Sequence, residues 1–151
     1  MKNLFLTLFA VVLFIGFVPQ ISSAQNKSVW VAPKIGIWQL IGKDEENTEW
    51  TAQLRFTRKT TSKSITKYKG FFIWRSSNGE IVGREYFTGS FDKRTGKLRL
   101  KSYAVKNVSG SLAVGTYVGF VSRKGRRITR GSWDGNDVVK GTWSAEWLKF
   151  R

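Results

Sequence analysis

The sequence predicts an all-β domain, an eight-stranded antiparallel up-and-down barrel, preceded by a cleaved signal peptide. Three observations lead there. Apolar residues recur with period two rather than with a helical period, turn signals separate the apolar runs at short intervals, and the runs are rich in aromatic and β-branched residues.

Residues 1–24 carry the export signal, residues 25–33 an N-terminal extension, and residues 34–151 the barrel domain. Lys2 supplies the positive start, Leu4 to Val18 the apolar core, and Pro19 its end; Ser22-Ser23-Ala24 forms a small-residue cleavage site before Gln25. The apolar core is shorter than the roughly 20 residues a membrane span needs, so the segment is expected to be removed. The expected location of the mature chain is extracellular or periplasmic.

Eight strands are expected, at about 34–41, 49–59, 65–76, 80–91, 97–106, 112–122, 126–133 and 138–149. In the second, Trp50, Ala52, Leu54 and Phe56 alternate with Thr51, Gln53, Arg55 and Thr57. In the fifth, Leu98, Leu100, Ser102 and Ala104 alternate with Lys97, Arg99, Lys101 and Tyr103, and the sixth repeats the rule at Val114, Thr116, Val118 and Phe120. Asn78-Gly79 is the strongest two-residue hairpin signal, since both central positions tolerate positive φ. Lys93-Arg94-Thr95-Gly96 predicts a longer hairpin ending in a left-handed glycine, and Ser109-Gly110, Lys124-Gly125 and Asp134-Gly135-Asn136 continue the series.

Short connections make each strand pair with the next. Closing the first strand on the last removes both edges, so a closed barrel is favoured over a two-sheet sandwich. Glycines inside strands (Gly70, Gly83, Gly89, Gly115, Gly119, Gly131, Gly141) suit places where the wall bends or a Trp from the next strand crosses the backbone. A membrane-spanning barrel would turn its apolar face outward and its polar face inward. Arg55, Lys59, Lys67, Lys69, Arg75, Lys97, Arg99 and Lys101 are too many cations for a narrow eight-strand lumen, so the charge belongs in water.

Composition excludes much chemistry. The chain has no Cys and no His, which removes thiolate nucleophiles, Ser–His and Cys–His catalysis, and zinc sites of the usual nitrogen and sulfur type. No cofactor motif is present. Only Lys2 of the 26 Lys and Arg lies in the signal, leaving 25 basic against 10 acidic residues, 25 − 10 = +15. Such a field attracts anionic partners, here an anionic glycolipid, polysaccharide or membrane surface ahead of nucleic acid.

Lys34-Ile35-Gly36-Ile37-Trp38-Gln39-Leu40 carries a G-x-W pattern on the first strand. It resembles the opening strand of the calycins, the group of lipocalins, fatty-acid-binding proteins and avidins. The resemblance implies a small barrel in which Gly36 lets the chain bend and Trp38 plugs one end, around an interior able to hold a ligand. Gly141-Thr142-Trp143 repeats the pattern on the closing strand. A second lipocalin signature, lipocalin disulfides and the avidin biotin-binding constellation are all missing, so the resemblance extends to architecture alone.

The favoured function is a non-enzymatic binding protein for a small hydrophobic or amphipathic ligand, with Trp38, Trp74, Trp133 and Trp143 as ligand-binding candidates. Any of the seven Trp would also serve simply to fill a small core. A second reading is an interaction protein (toxin, inhibitor or envelope factor) that binds an anionic surface or polymer. Its candidate site is the dense cluster Arg123, Lys124, Arg126, Arg127 and Arg130 on a predicted hairpin tip, where crowded cations would welcome a phosphate, sulfate or carboxylate. A further basic stretch runs from Arg55 to Lys69. A third reading, a carboxylate-dependent barrel enzyme, needs an acid facing an aromatic pocket, and Glu85 and Glu146 are the acids inside predicted strands. Asp44-Glu45-Glu46 with Glu49 reads as a solvated turn, and Asp134-Gly135-Asn136-Asp137 as a hairpin turn rather than a calcium loop.

Overall fold

A computed structural model describes residues 29–109, 112–135 and 140–149. Eight antiparallel strands run in chain order: β1 (Gly36–Asp44), β2 (Glu49–Thr61), β3 (Ile65–Arg75), β4 (Ile81–Asp92), β5 (Lys97–Asn107), β6 (Thr116–Val121), β7 (Arg127–Asp134) and β8 (Lys140–Lys149). Each pairs with the next, and β8 pairs back onto β1, closing the barrel. The fold is therefore the expected up-and-down barrel, compatible with a calycin-like architecture. The signal segment lies outside the described residues.

In β2 and β5, alternation sorts the side chains as the sequence requires. Trp38, Leu40, Ala52, Leu54, Phe56, Phe72, Phe87, Leu98, Leu100 and Ile128 fill the interior, each almost completely shielded from water. Rings meet edge-on or tilted across it, as between Trp38 and Phe56 at 5.8 Å and between Phe72 and Tyr117 at 4.7 Å. Burying each such side chain contributes roughly 1.5–3 kcal/mol, enough to hold a domain that has no disulfide. Lys67, Lys69, Arg99 and Lys101 point to solvent. An oily inside and a charged outside are the reverse of a membrane-spanning barrel.

The tryptophans also explain several glycines. A Cβ on Gly131 would lie 2.3 Å from the Trp143 carbonyl oxygen and 2.6 Å from its ring. A Cβ on Gly141 would meet Trp133 at 2.4 Å.

Three local expectations change. The Asn78-Gly79 hairpin has positive φ at Gly79 alone; Gly79 N–H donates to the Ser76 carbonyl and Ser76 N–H to the Glu80 carbonyl, giving a longer turn. β6 begins at Thr116 rather than near 112, because the Asn107 side chain takes the Leu112 N–H and Ser102 takes up the Gly115 backbone, and the buried face of β6 is Tyr117, Gly119 and Val121 rather than the expected Thr116, Val118 and Phe120. In β2 the register shifts between Phe56 and Arg58. That bulge reverses the alternation, so Arg58 and Thr60, not Lys59, share the outer face with Arg55. Lys59 remains exposed.

Residues 30–35 cover one end of the barrel. Trp30 N–H bonds the Lys93 carbonyl, the Tyr68 hydroxyl donates to the Pro33 carbonyl, and the Trp38 indole N–H to the Lys34 carbonyl. The φ of Gly36, 121°, makes the bend into β1.

Candidate functional site: a basic trough on the outer wall

β3, β4 and β5 present two adjoining cross-strand rows. Along one, Lys67 pairs with Ser90 and Ser90 with Arg99; along the other, Lys69 pairs with Thr88 and Thr88 with Lys101. β2 extends the rows with Thr60 beside Lys67 and Arg58 beside Lys69, and β6 adds Thr116 beside Lys101. Long cations on β3 and β5 thus flank short hydroxyl side chains on β4. The short residues form a floor and the long ones form walls. The result is an open concavity of about 640 Å³.

The walls stand two strand spacings apart, roughly 9.6 Å, and successive outward positions along a wall lie about 6.8 Å apart. Five cations (Arg58, Lys67, Lys69, Arg99, Lys101) line the trough, and no carboxylate does. The ion pairs among the described residues lie elsewhere, at Lys43–Glu49, Arg94–Asp92 and Arg127–Glu146.

The next positions on the same face carry Phe71 on β3 and Tyr86 on β4, with ring centroids 5.9 Å apart. The guanidinium of Arg55 lies 5.8 Å from the Phe71 ring and that of Arg84 lies 5.5 Å from it. Arg55 also donates from Nη2 to the Gln53 side chain, while its buried Nε meets no hydrogen-bond partner among the described residues. Stacking on one ring restrains both guanidiniums against the wall.

The hairpin cluster is arranged differently. Arg123 lies over Trp30 at 4.9 Å, Arg126 over Trp147 at 5.4 Å, and Arg130 over Phe120 at 4.6 Å. Arg127 Nε meets Glu146 Oε1 at 2.8 Å. Lys124 stands exposed at the tip. The crowding of like charge expected there is relieved within the chain, by aromatic rings and one carboxylate.

Trp38, Trp74 and Trp143 belong to the packed core. Trp133 is half-buried near the opposite end, 5.5 Å from Trp74 and 6.1 Å from Tyr117, and its buried indole N–H meets no hydrogen-bond partner among the described residues. It borders a shallower concavity of about 460 Å³ whose charges are mixed, with Glu45, Asp134 and Lys140 together.

Glu85 and Glu146 separate cleanly. Glu146 faces outward to Arg127. Glu85 is 1% exposed and points into the interior, where the Trp74 indole N–H donates to it at 2.7 Å and the Tyr117 hydroxyl at 2.8 Å. Burial pushes the Glu85 carboxyl above the ordinary carboxylate range, although these donors favour its charged form. Burial, and secondarily the charge of Glu85, push the Tyr117 hydroxyl up as well. Enclosed on all sides by the strands that carry it, this carboxyl ties β3, β4 and β6 together across the lumen.

Asp44 confirms the turn reading of the acidic run. One carboxylate oxygen accepts from the Glu46 and Thr48 N–H groups and the other from the Trp50 indole. The Trp50 bond is the main cause that holds the Asp44 carboxyl below its ordinary value. In the last hairpin, residues 136 and 137 lie outside the described residues.

Sequence reasoning counted the trough cations as solvated charge. The signal that could have found them was the shared period of Lys67/Lys69, Thr88/Ser90 and Arg99/Lys101, which needs only the pairing register to become a surface. Comparison with known proteins gives no assignment: no protein-family model matches the chain, and no curated protein does.

Proposed function

We propose that the protein is a secreted binding module that captures an anionic ligand on the outer wall of its barrel, in the trough between β3 and β5. The observation that supports this most is the lining itself: five exposed cations and four hydroxyls converge on one concavity without a carboxylate. Like charges crowded on a surface cost free energy unless something uses them, and a ligand carrying several phosphate, sulfate or carboxylate groups recovers that cost. The hydroxyls supply directional bonds that charge alone lacks.

A small apolar ligand in the lumen is the weaker reading, because Trp38, Phe56, Phe72 and Phe87 already occupy it. The hairpin cluster is weaker as a primary site for a similar reason, since its arginines are engaged.

Inorganic polyphosphate is a suitable probe of the trough. Calorimetry of wild type against a Lys67→Gln, Lys69→Gln, Arg99→Gln, Lys101→Gln variant should show affinity falling at least tenfold, about 1.4 kcal/mol. Wild-type affinity should also fall as salt rises from low to physiological levels. Unchanged affinity in the variant would overturn the assignment.

A further inference from the structure

We infer that the ligand is a linear acidic polysaccharide whose chain lies lengthwise along β4, its anionic groups reaching the β3 and β5 walls. This rests on the trough reading and narrows it. A planar bilayer meets a barrel on its bulging wall, and would leave the hydroxyl floor of Thr88 and Ser90, sunk between Lys67/Lys69 and Arg99/Lys101, out of reach. A thin chain can enter. The walls are separated by roughly 9.6 Å across two strand spacings, which admits one chain and excludes a duplex.

The floor then distinguishes a glycan from a single-stranded nucleic acid. Single strands are held by bases stacking on free aromatic faces beside a basic groove. On this wall Phe71 carries the guanidiniums of Arg55 and Arg84, and the exposed ring of Tyr103 lies past Lys101 on β5, outside the residues that line the trough. What lies under the ligand is Thr88 and Ser90, with Thr60 and Thr116 at the margins. Hydroxyls that both donate and accept match a polymer bearing hydroxyls on every unit. Tyr86, two positions before Thr88 on the same face of β4, closes the floor at that end, its ring packed against Phe71 at 5.9 Å.

The test compares three probes at equal ionic strength: a sulfated oligosaccharide, a single-stranded oligonucleotide of matched charge, and vesicles containing anionic phospholipid. Wild type should bind the oligosaccharide at least tenfold more tightly than the others. Thr88→Val with Ser90→Ala keeps every cation and removes only the floor hydroxyls; it should weaken the oligosaccharide several-fold and leave the oligonucleotide unchanged. Circular dichroism of that variant should match wild type, which separates loss of contact from loss of fold. Preference for the oligonucleotide or the vesicles, abolished by Lys69→Gln and Lys101→Gln, would overturn the polysaccharide assignment while leaving the anionic trough standing. Binding of all three probes that ignores the trough cations would overturn both.

Discussion

The barrel carries two basic regions that look alike in sequence and differ in structure. At the β6–β7 hairpin, Arg123, Arg126 and Arg130 rest on aromatic rings and Arg127 meets Glu146. On the β3–β5 wall, Lys67, Lys69, Arg99 and Lys101 line an open trough beside hydroxyls. The hairpin has the higher local charge density along the chain, and yet its four arginines pack on Trp30, Phe120 and Trp147 or pair with Glu146. The wall cations are dispersed in sequence and gathered only by strand pairing. Density along a chain is therefore a poor guide to where a ligand would find charge available; cross-strand neighbours are a better one.

Perturbing the packed side should cost the most stability. Gly131→Ala places a methyl group against the Trp143 backbone and ring, and chemical denaturation should show a loss of about 3 kcal/mol. A loss below about 0.5 kcal/mol would mean that β7 can move away from Trp143 freely.

Next comes the buried acid, which neither basic region touches. Tyr117→Phe removes a donor from the Glu85 carboxylate and should cost about 2 kcal/mol at neutral pH. Glu85 also sets a pH dependence. Because burial raises its folded-state pKa above the ordinary 4.5, the folded chain holds a proton that the unfolded chain has released. Its contribution to stability is full below about pH 4.5 and is lost as pH rises through the folded-state value. Glu85→Gln should abolish that decline in melting temperature, and a decline of equal size in the variant would assign it to other groups.

The smallest stability effects sharpen the comparison itself. Arg123→Ala should cost about 1 kcal/mol through the lost contact with Trp30. Lys69→Ala or Lys101→Ala should change stability by less than about 0.5 kcal/mol, since these exposed side chains make no hydrogen bond, ion pair or ring contact among the described residues. Equal costs at both places would erase the distinction between fastening and ligand-facing cations.

Much of the fold was legible before any coordinates. Alternation in β2 and β5 gave the strands and their inward faces, and the glycines expected under tryptophans are found at Gly131 and Gly141. What alternation could not show was anything that depends on pairing. The bulge between Phe56 and Arg58 exchanges Lys59 for Arg58 on the outer wall, and a one-residue shift leaves no trace in a run of polar residues. The trough needed the registers of β3, β4 and β5 together. Glu85 was singled out as an acid within a strand, but its direction was undecided, because Tyr86 and Glu85 both fit either face of the strand. The hairpin arginines looked available because Trp30 and Trp147 come from other parts of the chain and Phe120 meets Arg130 only through the β6–β7 pairing.

The most direct test is to map where a polyanion touches the protein. With a sulfated oligosaccharide added stepwise to labelled protein, backbone amide shifts should concentrate on residues 67–69, 88–90 and 99–101 and leave residues 123–130 little changed. Shifts concentrated on the hairpin, with the β3–β5 wall silent, would contradict the account.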